Sequence, residues 1–227
     1  MQSAEDTDYM NLVMKKTICG MDIEVYAPLS EFDEVLYVHS LSTAMPSLRC
    51  AAVSITGVDW DSQLTPWPAP KAFRGGRPFS GNADEHLAAI TGSVISEAES
   101  CLGCTIRRRI IAGYSLAGLF AVYSLFRTDA FNAAASGSGS FWFDAFADFA
   151  ESSPLASSSP QVYLSLGDLE SHTSNTRLAA VGDCTERVKS ALESKGASVT
   201  YEMNHGGHFD EEEARMERAY RFMGCLL

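Results

Sequence analysis

The sequence predicts a single α/β domain spanning residues 1–227, a three-layer sandwich whose mostly parallel sheet of about eight strands carries helices on both faces. Three observations predict it. Strand-like and helix-like segments alternate after a short strand-rich start, which is the pattern of crossover connections in a parallel sheet. At 227 residues, with 46% hydrophobic and 20% charged content, the chain suits one domain with a substantial core. The residues best fitted to chemistry all follow predicted strands, where open sheets of this kind bind their ligands.

In chain order, Lys16 to Cys19, Met21 to Tyr26, Val35 to His39 and Ala51 to Ile55 read as strands, the first two joined at Gly20. Residues 56–83 carry Pro66, Pro68, Pro70, Pro78 and several glycines, so a long loop is expected, of the kind that covers a site. Asn82 and Glu85 have capping-box spacing, and Leu87, Ile90, Val94 and Ala98 recur at helical intervals behind them. Ile110 to Ala112 reads as a buried strand and Leu116 to Phe126 as a helix apolar all round. Ala133 to Ser136 and Gln161 to Ser165 are further strands, separated by a serine-rich loop over 152–159. Leu178, Val181, Val188 and Leu192 mark a helix closed by Lys195 and Gly196. Val199 to Met203 is the last strand, and Glu211 to Met223 the last helix, with Asp210 and Glu213 as a second capping box.

Bulk properties exclude several classes. A net charge of −12 argues against nucleic-acid binding and against docking on anionic membranes. Met1 to Met10 is polar and acidic, and no apolar run is long enough to span a bilayer, so a cytoplasmic protein without membrane partners is expected. Six scattered cysteines do not form a disulfide framework, and the Cys101 and Cys104 pair lacks a second pair of matching spacing. Neither a metal nor a cofactor is expected. Oligomeric state is not legible.

The segment Gly113-Tyr-Ser-Leu-Ala-Gly118 sits where a strand turns into a helix. Such a turn holds a serine exposed in front of a helix N-terminus, which suits a nucleophile whose attack builds an oxyanion; Ser115 is the candidate. Its base is expected late in the chain, and His205-Gly-Gly-His208 lies between the last strand and the last helix. His208 is nearer the helix and is preferred, with His205 as the alternative; His39, His86 and His172 are weaker candidates. The acid is expected after the preceding strand, where Gly167-Asp168-Leu169-Glu170 offers Glu170 and, as the alternative, Asp168. The Leu116 N–H is the first expected oxyanion donor, and Ser40 or Leu41 the second. Trp60, Trp67, Phe73 and Phe79 either wall a substrate cleft or pin the proline-rich loop.

These residues resemble the alpha/beta-hydrolase superfamily, in its esterase-D-like branch, which includes siderophore esterases and feruloyl-esterase-like enzymes. The resemblance covers most of residues 16–223. It is most specific at Ala112 to Ala121, Ser136 to Trp142 and Gly206 to Phe209, with Tyr114 and Ala117 where the branch usually has histidine and glycine. It implies Ser115 as nucleophile, His208 as base, a carboxylate at Glu170, and Phe141 with Trp142 lining the substrate pocket. Arg74 and Arg77 are the basic residues that would meet an anionic catecholate. The expected activity is carboxylic-ester hydrolysis through an acyl-enzyme, on a small-molecule ester. An acyltransferase or thioesterase on the same site, or a non-catalytic binding protein, are the alternatives.

Overall fold

The computed structural model describes residues 10–39 and 47–226. Its strands are β1 (Met10–Ile18), β2 (Met21–Pro28), β3 (Glu34–His39), β4 (Ala51–Thr56), β5 (Arg108–Tyr114), β6 (Ala133–Gly137), β7 (Gln161–Gly167) and β8 (Ser198–Asn204). Its helices are α1 (Trp60–Gln63), α2 (Ala83–Ala89), α3 (Ile95–Leu102), α4 (Leu116–Arg127), α5 (Phe146–Ser152), α6 (Thr176–Ala179), α7 (Val181–Ser194) and α8 (Glu212–Phe222). A π-helical turn over Ile90–Val94 joins α2 to α3, so the single helix expected there carries a bulge. None of these helices is long and apolar enough to cross a membrane.

The strands form one eight-stranded sheet in the order β1-β2-β4-β3-β5-β6-β7-β8. β2 pairs antiparallel with both β1 and β4, and every pair from β4 to β8 is parallel. Alternation along the inner strands sends Val35, Tyr37, Ile111, Ala134, Val162 and Leu164 to one apolar cluster. Leu36, Val38, Ile110, Ala112, Ala133, Ala135 and Tyr163 go to the other. The faces are unequally clothed. The first packs residues of α2, α3, α4, α5 and α7, whereas Met216, Ala219 and Tyr220 of α8, with Met223 and Cys225, cover the second. α4 lies deepest, with every residue from Leu116 to Phe126 buried, as its all-round apolar sequence requires.

Several expectations need correction. β1 begins at Met10 rather than Lys16; it is an edge strand with a register break between Leu12 and Met14 and exposed apolar residues, so it lacks the alternation that marks a half-buried strand. Neither capping box forms at its helix. Asn82 donates from Nδ2 to Ser62 Oγ, and Asp210 accepts the Gly207 N–H; both side chains serve loops instead. The loop over 56–83 contains α1 and a bridge between Ala69 and Phe79. α5 was not expected, because it is a short segment buried through Phe146, Ala147 and Ala150.

One polar chain crosses this core. The Asp59 N–H donates to Gln63 Oε1, which turns the Gln63 amide toward His86 Nδ1 at 3.3 Å. His86 therefore carries its proton on Nε2 and donates it to His39 Nε2 at 2.8 Å. Burial pushes His86 down to about 4, and holds His39 well below its ordinary value with help from the His86 charge. The unfolded chain takes up protons on both imidazoles below about pH 6.5 while the folded chain does not, so stability is full above that pH and is lost as pH falls toward 4. For His86 alone the loss is about 3 kcal/mol. Thermal melts between pH 7 and 4.5 should show this decline, and His86→Gln should flatten it relative to the parent; parallel pH profiles of the two proteins would refute the assignment.

Candidate active site

The polar residues that matter lie at the carboxyl ends of four adjacent strands. The order in which strands are laid across the sheet reverses between β3 and β5, which stay parallel, and β5 to β8 then run in sequence, with Tyr114 opposite Gly137 and Gly167 opposite Asn204. The loops leaving β5, β6, β7 and β8 thus converge on one edge, the usual ligand position in such sheets.

Ser115 forms the turn from β5 into α4, with φ 57° and ψ −121°. A non-glycine residue there costs on the order of 1–3 kcal/mol, and the surrounding packing enforces it. Its N–H donates to Gly137 O, and its carbonyl accepts from Leu119 N and Ser140 N. A Cβ on Gly113 would lie 2.5 Å from Ala117 Cβ, so the missing methyl at Gly113 makes room for the one at Ala117. That is the physical reason alanine is tolerated there. Leu116 is the first residue of α4, and its N–H has no carbonyl to meet within the helix.

His208 Nε2 stands 3.0 Å from Ser115 Oγ, and its Nδ1 stands 2.7 Å from Glu170 Oε2. Glu170 folds back over its own turn: its N–H donates to Gly167 O and its Oε1 accepts the Gly167 N–H at 2.7 Å. The side chain is 3% exposed. Burial pulls its carboxyl upward, but hydrogen bonds from His208, Ser138 and the Gly167 N–H outweigh burial and hold it below the ordinary carboxylate range. The two alternatives read from sequence meet each other instead. His205 Nδ1 lies 3.3 Å from Asp168 Oδ2, and Asp168 Oδ1 accepts the Gly206 N–H at 2.8 Å, away from Ser115.

Arg215, on the buried face of α8, is wholly enclosed. Its Nη1 reaches Glu170 Oε1 at 3.0 Å, Ser138 Oγ at 2.9 Å and Tyr114 Oη at 3.2 Å. Its Nη2 donates to the carbonyls of His205 at 3.0 Å and Gly207 at 2.9 Å. Tyr114 in turn donates to His208 O at 2.7 Å, so the tyrosine before the serine holds the histidine loop. The sequence pattern predicts neither Arg215 nor Tyr114 as a site residue. Arg215 falls on the apolar stripe with Met216, Ala219 and Tyr220, which marks its face of the helix but not its partners.

This architecture has known counterparts. The siderophore hydrolase EstA from Aspergillus nidulans superposes with a TM-score of 0.70 at 18% identity, over 99% of this chain and 97% of that one. An IroE-like serine hydrolase from Shewanella oneidensis gives 0.69 at 16% identity, over 89% of this chain and 75% of that one. The chain has the alpha/beta-hydrolase fold. It shares that fold with both of these hydrolases. Among curated proteins, the uncharacterised YbbA of Bacillus subtilis is 26% identical over 165 residues, which is 70% of this chain and 66% of that protein, just under two thirds of its length. No protein-family model matches.

On this alpha/beta-hydrolase fold a cleft of about 410 Å³ opens beside Ser115. Trp142 and Phe79 line it, together with Phe73, Leu178 and Val181. Phe141 does not: it is 1% exposed and stacks on Phe146 in the core, because the chain turns inward after Ser140. Trp67 packs on Phe143, Phe146 and Phe149 and donates Nε1–H to Asp144 O, while Trp60 packs on the core from α1; both pin the loop rather than line the cleft. Ser40 and Leu41 lie outside the described residues. His172 lines the cleft, and His39 and His86 are the core pair described above. Ser140, 1% exposed, puts its Oγ 3.2 Å from Ser115 Oγ and was likewise missed.

Replacing Arg215 by Met removes the guanidinium from five acceptors and leaves Glu170 charged and enclosed without its counter-ion. A loss of about 3–5 kcal/mol in urea unfolding is expected. A change below about 1 kcal/mol would show that the cluster does not depend on the guanidinium.

Proposed function

We propose that this protein is a serine hydrolase that cleaves carboxylic esters through an acyl-enzyme. The observation that carries the reading is the unbroken relay from Ser115 Oγ to His208 Nε2 at 3.0 Å and from His208 Nδ1 to Glu170 Oε2 at 2.7 Å. Glu170, ionised, accepts the Nδ1–H and so leaves the Nε2 lone pair facing the serine hydroxyl. The Ser140 hydroxyl then donates toward Ser115 Oγ and fixes its rotamer.

His208 takes the Ser115 proton as Oγ adds to the ester carbon, and the carbonyl oxygen gathers charge in front of α4. The Leu116 N–H meets that charge, aided by the helix N-terminus. A second donor is proposed from the segment after β3, at Ser40 or Leu41. His208, now imidazolium facing Glu170, returns its proton to the departing alcohol oxygen as the tetrahedral carbon collapses to the acyl-serine. Water, deprotonated by the same imidazole, repeats the sequence and releases the acid. The structural likeness to siderophore hydrolases and an IroE-like serine hydrolase supports ester cleavage as the reaction class.

Two measurements test this. A fluorophosphonate should label the parent protein and not Ser115→Ala. p-Nitrophenyl butyrate should be hydrolysed by the parent, with kcat lower by at least about 10³-fold in Ser115→Ala or His208→Ala and by about 10²–10⁴-fold in Glu170→Gln. An unlabelled parent, or labelling that survives Ser115→Ala, would sink the assignment.

A further inference from the structure

The arginines packed around the cleft wall, Arg177, Arg77 and Arg215, are committed to carboxylates and carbonyls rather than to a ligand. Arg177 lies behind the aromatic wall, its guanidinium 5.2 Å from the Trp142 ring centre and 5.6 Å from that of Phe79. It pairs with Asp144 at 2.7 Å and donates to Pro70 O at 2.6 Å, while Asn175 donates to Ala72 O at 2.8 Å. Together they staple the loop that carries Phe73 and Phe79 onto α6. Arg77 is held by Asp59 at 2.9 Å and by Asp61, itself a cleft residue, at 3.6 Å. Arg215 is sealed beneath Glu170. Arg74 is exposed on the outer turn of the loop and is not among the cleft-lining residues.

The cleft itself holds two carboxylates, Asp61 and Glu170, two imidazoles, His172 and His208, and no lysine or arginine among the described residues. The sequence Ser40-Leu-Ser-Thr-Ala-Met-Pro46 contains no charged side chain, so that segment adds none. Three of the large apolar side chains that the fold leaves exposed, Phe73 at 57%, Leu169 at 45% and Phe209 at 85%, belong to this cleft. Clustered exposed apolar surface at the mouth of a pocket marks a surface that an apolar ligand covers. A ligand carboxylate there would be desolvated with no cation to receive it, inside a protein of net charge −12.

We propose that the site selects uncharged esters whose apolar group packs against Trp142 and Phe79, and that it rejects esters carrying a negative charge on either side of the scissile bond. The inference rests on the hydrolase reading above and names its substrate class. Within it, Arg177 is a positioning residue: it holds the wall and does not touch substrate.

The test compares three esters of matched size at pH 8. They are 4-acetylphenyl butyrate, its 4-carboxyphenyl counterpart with the charge on the alcohol, and 4-acetylphenyl hemisuccinate with the charge on the acyl group. The neutral ester should exceed each anionic one by about 100-fold in kcat/KM, with most of that ratio surviving 0.5 M salt, because desolvation rather than long-range repulsion sets it. Val181→Lys should narrow the gap at least tenfold. Arg177→Gln should raise KM for 4-acetylphenyl butyrate while leaving its kcat, and the rate of fluorophosphonate labelling, within about twofold. Equal or faster turnover of either anionic ester by a protein that labels at Ser115 overturns the charge selection alone; a protein that neither labels nor turns over any ester overturns the hydrolase reading and this inference with it. An unchanged KM in a folded Arg177→Gln variant removes Arg177 from the account.

Discussion

The buried pair between Arg215 and Glu170 is the interaction on which the rest of the site depends. A carboxylate this enclosed keeps its charge only where donors surround it, and Glu170 has His208, Ser138, Gly167 N–H and Arg215. The guanidinium does more than balance charge. Its planar fork faces acceptors from four different strand ends, namely Tyr114, Ser138, Glu170 and the carbonyls of His205 and Gly207. An ammonium has three donors on one atom and cannot span that set. A single side chain from α8 therefore fixes the acid and the histidine loop in one frame.

Parallel register supplies the second constraint. Because β5 to β8 are hydrogen-bonded in sequence, their exits lie a strand spacing apart, and short loops suffice to bring Ser115, Ser138, Glu170 and His208 together. The N–H groups of Asp168 and Leu169 donate to Asn204 O and Gly206 O, which joins the acid turn to the histidine loop directly. A Cβ on Gly167 would come within 2.2 Å of Gly206 O. Glycine at that strand end is what lets the two loops approach closely enough for Glu170 to reach His208.

The sheet, the crossover helices and the placement of Ser115, Glu170 and His208 after their strands were legible because each leaves a local trace: an apolar run, a glycine turn, a chain order. Contacts made across the fold leave none. Glu170 and Asp168 are both acids after one glycine, and only the turn that folds Glu170 Oε1 onto the Gly167 N–H separates them. Arg215 stands among the charged residues of Glu211 to Arg221, where a buried arginine is spelled like a solvated one. Asn82 and Asp210 have the spacing of helix caps, yet nearby loops offered their side chains other partners. Phe141 and Trp142 are adjacent in sequence but face opposite ways, one into the core and one into the cleft, which depends on how the chain turns after Ser140.

Charge in this molecule is arranged so that the same field serves two ends in the proposed reaction. The positive groups near the cleft are consumed in building it: Arg215 beneath the acid, Arg177 behind the aromatic wall, Arg77 on the acids of the loop. What the cleft itself presents to the reacting atoms is then carboxylate, with Glu170 in contact with His208 and Asp61 at the cleft wall. Such an environment stabilises the imidazolium that forms as Ser115 attacks, since an opposite charge at close range favours the protonated base. An anionic substrate meets the other side of the same arrangement, because no cation remains in the cleft to offset its desolvation. Base strength and charge selection thus have one source. Adding a cation to the cleft to admit an anion would weaken the base that has to act on it.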